Sequence, residues 1–181
     1  MTWIDSVKNA RLVYITGGDQ NKFMDIVRGS KLYEALQQSY HAGATISGTS
    51  AGAAIMSQIM ITGAQKGNEK AEGFREIRND IVETNSGMGF LKNVIIDQHF
   101  VMRSRYNRLL SVLADYPSHM AIGVDEGTAL VVHGKQARVS GDSQVVVIRK
   151  PQKNNRSKNG KVTFENAKFS LYTHGQKFKL N

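Results

Sequence analysis

The feature of this sequence that most constrains its fold is a glycine-rich turn between an apolar segment and a run of small residues. Residues 44–56 read ATISGTSAGAAIM, in which Gly48, Ser50 and Gly52 form the pattern Gly-x-Ser-x-Gly. Between a strand and a helix, this pattern is typical of a nucleophile elbow, where small residues flank a serine on a strained turn. A glycine-rich turn with Ser50 as a helix N-cap is the alternative interpretation.

Strand-like and helix-like segments alternate along the chain. Strands are predicted at residues 11–18, 44–47, 93–97 and 120–125, and helices at 23–43, 51–61 and 107–117. Residues 63–90 are polar and glycine-rich, which predicts a long excursion. From Thr128 onwards, strands follow one another in hairpins. The sequence therefore predicts an α/β fold with a mostly parallel sheet flanked by helices and with antiparallel strands at its C-terminal end.

Length and composition limit the class of protein and its chemistry. With 181 residues, of which 40% are apolar, the chain is long enough to bury a core as one domain. It has no cysteine, which excludes a disulfide framework, a thiolate zinc site and a cysteine nucleophile. The first residues lack a signal-peptide pattern, and no segment approaches the roughly 18 apolar residues of a membrane helix. We expect a cytoplasmic protein with no metal, cofactor or membrane partner.

Part of the net charge of +9 comes from residues 149–161, which hold six basic residues and no acidic one. The simpler interpretation of this basic segment is a solvated, mobile loop between two strands. The alternative is an electrostatic patch for a polyanion. No aromatic residue is interleaved for base stacking, so we do not expect nucleic acid as a partner.

A serine nucleophile needs a base, and His99 is the histidine best placed to supply it. His99 follows the apolar segment NVIIDQ, so it emerges at the carboxyl end of a predicted strand, as Ser50 does. Asp125 and Glu126 follow a further strand, and both are candidates for the acid that orients the base. The order serine, histidine, acid disfavours the α/β-hydrolase fold, in which the acid precedes the histidine.

Four segments together resemble the cyanophycinases and the wider S51 family of serine peptidases, which includes the α-aspartyl dipeptidases. The segments are ITGGDQ (15–20), GTSAGAA (48–54), IIDQHFVMRSRYNRLL (95–110) and AIGVDEGTAL (121–130). This resemblance implies a flavodoxin-like fold similar to that of class I glutamine amidotransferases. It also implies a triad of Ser50, His99 and Glu126, with the backbone N–H groups of Gly18 and Ala51 as the oxyanion hole.

Enzymes of the cyanophycinase type cleave cyanophycin, a polymer with an aspartate backbone and arginine side chains, to β-Asp-Arg dipeptides. The resemblance thus implies a polypeptide substrate, bound by Gln20, Asp97, Gln98, Arg103, Arg105 and Arg108. Arginine pairs with carboxylates through two parallel hydrogen bonds, and a carboxylate suits a guanidinium group. A solvated helix face is the alternative for Arg105 and Arg108. Arg103 joins them at one pocket only if the segment around it is not regular helix.

In one respect the sequence differs from the family that it resembles. Family members carry further strands before the GGDQ segment, whereas this chain starts at the helix that precedes it. We expect residues 1–181 to form a single S51-type domain without those strands, so that one flank of the sheet is an unpaired edge. A signal peptide lost with those strands is the alternative to the cytoplasmic location.

The leading functional hypothesis is a serine-type exopeptidase that acts on cyanophycin. A homodimer is the oligomeric state considered for this protein. An α-aspartyl dipeptidase-like peptidase is an alternative of the same class. The alternative of another class is an inactive, truncated homologue that acts as a binding module through its basic segment.

Overall fold

The helices of the protein are short. The computed structural model describes residues 2–67 and 73–180. The helices are α1 (Trp3–Lys8), α2 (Gln20–Val27), α3 (Lys31–His41), α4 (Ala51–Ala54) and α5 (Tyr106–Asp115). In these two ranges, no helix has the length and apolar character needed to cross a membrane.

Most of the regular structure is in strands. They are β1 (Leu12–Ile15), β2 (Thr45–Gly48), β3 (Ile59–Gln65), β4 (Val82–Ser86), β5 (Val94–Gln98), β6 (Met120–Val124), β7 (Thr128–His133), β8 (Gln136–Gly141), β9 (Val145–Arg149), β10 (Gln152–Arg156), β11 (Val162–Glu165), β12 (Lys168–Tyr172) and β13 (Lys177–Lys179). Together with the helices, they confirm the predicted mixture of α and β structure.

The pairing of the strands differs from the predicted mostly parallel sheet. In the described part of the chain, β1–β2 and β5–β6 are parallel, and six further pairs are antiparallel. A parallel pair needs a long crossover, usually a helix, whereas short turns join antiparallel strands. The helices α2, α3 and α5 lie in the two parallel crossovers, and the strands after β6 follow one another through short connections.

A four-stranded sheet with the order β12-β9-β6-β5 forms the centre of the fold. On one face, α5 packs its buried Leu109, Val112 and Leu113 against Ile95 and Ala121. On the other face lie buried residues of the three-stranded sheet β13-β8-β7, which include Ala137, Val139 and Phe178. The carboxyl ends of β5 and β6 leave this layered core side by side, because the two strands are parallel neighbours.

The parallel pair β1–β2 is covered on one face and open on the other. Ile15 is buried among apolar residues of α2 and α3, and side-chain caps at Asp19 and Ser30 start these two helices. On the opposite face Leu12 and Tyr14 are 61% and 59% exposed. Within the described residues, β1 pairs with β2 alone. One edge of β1 therefore has no partner strand among the described residues, and a domain without the family's preceding strands stays a prediction.

The predicted helix over residues 51–61 is wrong beyond its first turn. α4 ends at Ala54, and from Ile59 the chain forms β3, which pairs antiparallel with β4. Several residues of β3 are β-branched, which favours a pleated strand once a partner strand is available. The excursion predicted over residues 63–90 therefore contains part of a hairpin, and its residues 68–72 lie outside the described residues.

The basic segment 149–161 forms part of a β-hairpin and is not the predicted loop. β10 and β11 pair antiparallel, and Lys153 lies 2.7 Å from Glu165 across the pair. Asn154 donates a 2.7 Å hydrogen bond to the carbonyl of Ala114, near the end of α5. Because α5 runs from the carboxyl end of β5 to the amino end of β6, this hairpin lies at the edge of the sheet opposite the carboxyl ends.

A glycine in β6 leaves room for the side chain that follows His99. Phe100 is fully buried and packs its ring edge-on against Tyr106, with 4.7 Å between ring centroids. A Cβ atom on Gly123 would lie 2.2 Å from Cγ of Phe100. The segment after β5 can therefore approach β6 this closely only because Gly123 has no side chain.

Gly123→Ala is therefore expected to lower the free energy of unfolding by about 1–3 kcal/mol, because the core must move to accept the new methyl group. Urea denaturation measures this change. In a double-mutant cycle with Phe100→Ala, the cost of the added methyl group should fall sharply. The packing account is wrong if Gly123→Ala costs the same in both backgrounds.

Candidate active site

The turn that carries Ser50 has a strained backbone that the two neighbouring glycines make possible. Ser50 has φ 52° and ψ −115°, a conformation that L-residues rarely adopt. A Cβ atom on Gly48 would lie 2.1 Å from the carbonyl oxygen of Gly52, and one on Gly52 would lie 2.3 Å from that of Ile15. Only glycine fits at both positions, which accounts physically for the Gly-x-Ser-x-Gly pattern.

A chain of two hydrogen bonds joins side chains from three strand ends. Ser50 follows β2, His99 follows β5 and Glu126 follows β6. The Oγ atom of Ser50 lies 2.9 Å from Nε2 of His99, and Nδ1 of His99 lies 2.7 Å from Oε1 of Glu126. Ser50 and His99 are partly buried, whereas Glu126 is exposed. The three side chains thus form one continuous array at the carboxyl edge.

Asp125 and Glu126, between which the sequence alone did not choose, have different hydrogen-bond partners. Glu126 contacts the imidazole, whereas Asp125 is buried and accepts hydrogen bonds from the backbone N–H groups of Val101 and Met102, both at 3.0 Å. Consecutive residues at the end of a strand project to opposite sides, which separates the two carboxylates.

The backbone N–H groups of Gly18 and Ala51 lie on the two segments that meet at Ser50. A Cβ atom on Gly17 would lie 3.8 Å from Oγ of Ser50, so the segment containing Gly18 passes beside the hydroxyl. Ala51 directly follows the serine at the start of α4. Neither N–H group donates to an acceptor within residues 2–67 and 73–180. Both donors therefore remain available beside Ser50.

A basic cavity of about 300 Å³ is lined by all three candidate arginines of the sequence. Arg103 and Arg105 belong to the turn over residues 99–105, and Arg108 belongs to α5, which begins only at Tyr106. The condition that the segment near Arg103 is not regular helix is therefore met. Burial and then the charge of Arg108 lower the pKa of the Arg105 guanidinium, because Asp97 offsets only part of both effects.

The three other candidate binding residues form hydrogen bonds with groups of the protein itself. Asp97 is fully buried and pairs with Arg108 through Nε at 2.8 Å and through a second, shorter contact from Nη2. Gln20 is buried, and its amide donates to the carbonyls of Ile61 and Thr62 at 3.1 and 2.6 Å. The carbonyl of Gln98 accepts a 2.8 Å hydrogen bond from Arg105. The side chains of Asp97 and Gln20 are thus already paired within the protein.

The sequence did not identify the other wall of the basic cavity. Gly63, Ala64, Gln65, Gly73 and Phe74 line it opposite the arginines. Arg108 lies over the ring of Phe74, at 5.8 Å from the centroid. The only signal in the sequence was the polar, glycine-rich character of residues 63–90. In the described ranges, no three His, Asp or Glu side chains form a group that could hold a metal ion.

Comparison with known proteins shows the family of the chain. The family model described as peptidase family S51 matches residues 2–140. The chain belongs to peptidase family S51. This confirms the resemblance that the four sequence segments indicated.

The chain is also similar to curated proteins named cyanophycinase. It is 32% identical to the cyanophycinase of Geminocystis herdmanii over 95% of the chain and 63% of that protein. It is 30% identical to the cyanophycinase of a Nostoc species over 93% of the chain and 56% of that protein. The chain thus spans about three fifths of the length of these relatives.

A solved structure shares the fold. The crystal structure of a peptidase from an acI-B1 Actinobacterium matches with a TM-score of 0.69 and 22% sequence identity. The match covers 98% of this chain and 62% of that protein. The mixed α/β arrangement of this S51 chain therefore recurs in a peptidase of known structure.

The strained backbone at Ser50 leads to a prediction on stability. Ser50→Gly and Ser50→Ala both remove the hydroxyl group, but only glycine adopts φ 52° and ψ −115° without a penalty from its Cβ atom. We expect Ser50→Gly to be more stable than Ser50→Ala by about 1 kcal/mol in urea denaturation. If Ser50→Gly is equally or less stable, the turn stores no such strain.

Proposed function

We propose that the protein is a serine-type exopeptidase that hydrolyses cyanophycin to β-Asp-Arg dipeptides. In this proposal Ser50 is the nucleophile, His99 the general base and Glu126 the residue that orients His99. The single observation that carries it is the pair of hydrogen bonds that joins the three side chains, at 2.9 and 2.7 Å. Membership of family S51 and the names of the similar proteins support the substrate class.

The chemistry follows from the proton positions in this array. With Nδ1–H of His99 donated to Glu126, Nε2 is free to take the Ser50 proton as Oγ attacks a carbonyl carbon of the substrate backbone. His99 then returns the proton to the leaving amine as the C–N bond breaks and an ester forms on Ser50. A water molecule, deprotonated by His99, hydrolyses the ester. Glu126 stabilises the imidazolium in both steps.

The negative charge that develops on the attacked oxygen needs donors in fixed positions. We propose the N–H groups of Gly18 and Ala51 for this role. Their lack of an acceptor in the described part of the chain supports it, since a donor already paired within the protein would not be available.

The basic cavity is the proposed subsite for a carboxylate of the substrate. Among the described residues, it is lined by three arginines and no acid, and Asp97 pairs with two of these arginines, so this part of the chain gives the cavity a net positive charge. Arg103 is exposed, so its guanidinium group can contact a substrate, whereas Arg105 is partly buried and its Nη1 donates to Gln98 and Asp97. The family resemblance implies that Asp97 binds a substrate guanidinium group, but the pairing of Asp97 with Arg108 argues against that assignment.

The finer assignments of fold and assembly are also proposals. One strand of each parallel pair leads directly to a triad residue: β2 to Ser50 and β5 to His99, as the resemblance to the class I glutamine amidotransferase type implies. We propose that these pairs are the shared part of such a fold. A homodimer and a cytoplasmic location stay predictions, and the mass of the protein in solution tests the first.

The proposed reaction predicts that Ser50→Ala abolishes release of β-Asp-Arg dipeptides from cyanophycin, because the attacking atom is lost. Glu126→Gln should lower kcat by about 10²-fold or more, because the imidazole loses its charged partner. Ser47→Ala, a serine in β2 just before the turn, serves as the matched control and should keep full activity.

Three outcomes separate this proposal from its alternatives. Full activity in Ser50→Ala would contradict the mechanism. Faster hydrolysis of short α-Asp-X peptides than of cyanophycin would indicate the dipeptidase. Failure of Ser50 to react with a serine-directed phosphonate, together with salt-sensitive binding of a polyanion, would indicate the binding module.

The proposed subsite predicts that Arg103→Gln raises KM for a short cyanophycin oligomer about tenfold, with a smaller change in kcat. A charged hydrogen bond to the substrate contributes about 1.5–3 kcal/mol, and 1.4 kcal/mol corresponds to tenfold in affinity. Arg11→Gln, an exposed arginine at the amino edge, is the matched control. An unchanged KM in Arg103→Gln would remove Arg103 from the subsite.

A further inference from the structure

The buried carboxylate of Asp125 lies beside the proposed triad but has no part in the mechanism above. We propose that Asp125 is a positioning residue, which holds the turn over residues 99–105 so that His99 bridges Ser50 and Glu126. This inference rests on the proposed function, because it concerns the efficiency of the same base.

The contacts of Asp125 connect this turn to two strands of the central sheet. Its Oδ1 atom accepts hydrogen bonds from the N–H groups of Val101 and Met102, both at 3.0 Å. Its Oδ2 atom accepts one from the hydroxyl of Ser143 at 2.6 Å. Its own N–H donates to the carbonyl of Gln144 at 3.2 Å. One side of the carboxylate therefore holds the turn, and the other side is fixed near the start of β9.

The turn needs such an anchor because its backbone is irregular. His99 has φ 52° and Ser104 has φ 48°, both in the left-handed region that costs energy for residues other than glycine. The N–H groups of Val101 and Met102 lie just after His99, where neither β5 nor α5 supplies a carbonyl partner. Their bonds to Asp125 fix the backbone two and three residues from the imidazole.

The charge of Asp125 is consistent with this role. Burial raises the pKa of its carboxyl group, but hydrogen bonds from Ser143 and from backbone N–H groups outweigh burial and hold the pKa below its usual range. The carboxylate therefore stays ionised at neutral pH, and hydrogen bonds to an ionised acceptor are stronger than those to a neutral one.

Asp125 and Glu126 thus hold His99 from two directions. Glu126 contacts the imidazole directly, at 2.7 Å, and Asp125 fixes the backbone that carries it. A shift of about 1 Å in a catalytic group can reduce the rate about 10²-fold. Loss of the anchor is therefore expected to slow the reaction. Because the same turn carries Arg103 and Arg105, the test uses a reaction that does not depend on the substrate subsite.

The test is the rate at which a small fluorophosphonate labels Ser50, followed by mass spectrometry. This reaction needs the pair of Ser50 and His99 but not the arginine subsite. We expect Asp125→Ala to slow labelling about 10²-fold per folded molecule. Asp125→Asn retains an oxygen for the two N–H groups but loses the charge that strengthens both bonds, so its labelling rate should lie between those of Asp125→Ala and the unchanged protein. Ser143→Ala removes the bond on the far side of the carboxylate and should label within about twofold of the unchanged protein.

Equal labelling rates for Asp125→Ala and Ser143→Ala would overturn the inference, because a merely structural role would make the two variants alike. If Asp125→Ala does not fold, Asp125→Asn decides: slower labelling supports the inference, and a rate equal to that of the unchanged protein contradicts it. Failure of the proposed function gives a different result, since the unchanged protein would then not be labelled at Ser50 at all.

Discussion

The hydrogen bond between Ser50 and His99 is the interaction on which the geometry of the candidate active site depends. It joins two parts of the chain with separate apolar clusters: the β1–β2 pair with its helices, and the central sheet with α5. A second bond supports the junction, since the buried hydroxyl of Ser57 accepts the N–H of Ile96 at 3.1 Å. The alignment of serine and imidazole is therefore a property of how the two parts pack.

Both residues of this hydrogen bond have left-handed backbone conformations, at φ 52° in each case. Around Ser50 the conformation is imposed by close backbone contacts that only Gly48 and Gly52 permit. Around His99 it is fixed by the buried ring of Phe100 and by the carboxylate of Asp125. Strain at two positions is thus offset by packing and hydrogen bonds in the neighbouring residues, as is common at functional sites.

The sequence predicts the strands that position this site but not the way in which most strands pair. Strand ends before Ser50, His99 and Glu126 can be read from local patterns, because an apolar run followed by a polar residue marks them. The sequence indicated antiparallel hairpins at the C-terminal end, but not that β9 pairs with β6 and joins the central sheet, because periodicity does not show which distant strands meet. The helix predicted over residues 51–61 failed for the same reason, since its apolar run fits either structure until β4 pairs with β3. Asp125 and Glu126 both follow β6, so local sequence could not show which of them contacts His99. Their different hydrogen-bond partners in the folded protein distinguish them.

The most direct test of the central claim is a crystal structure of the protein after reaction with a serine-directed phosphonate. The account predicts a phosphorus atom bonded to Oγ of Ser50, with a phosphonyl oxygen accepting hydrogen bonds of about 3 Å from the N–H groups of Gly18 and Ala51. It also predicts that His99 remains in contact with Glu126. An adduct on another residue, or a phosphonyl oxygen directed away from both N–H groups, would contradict it.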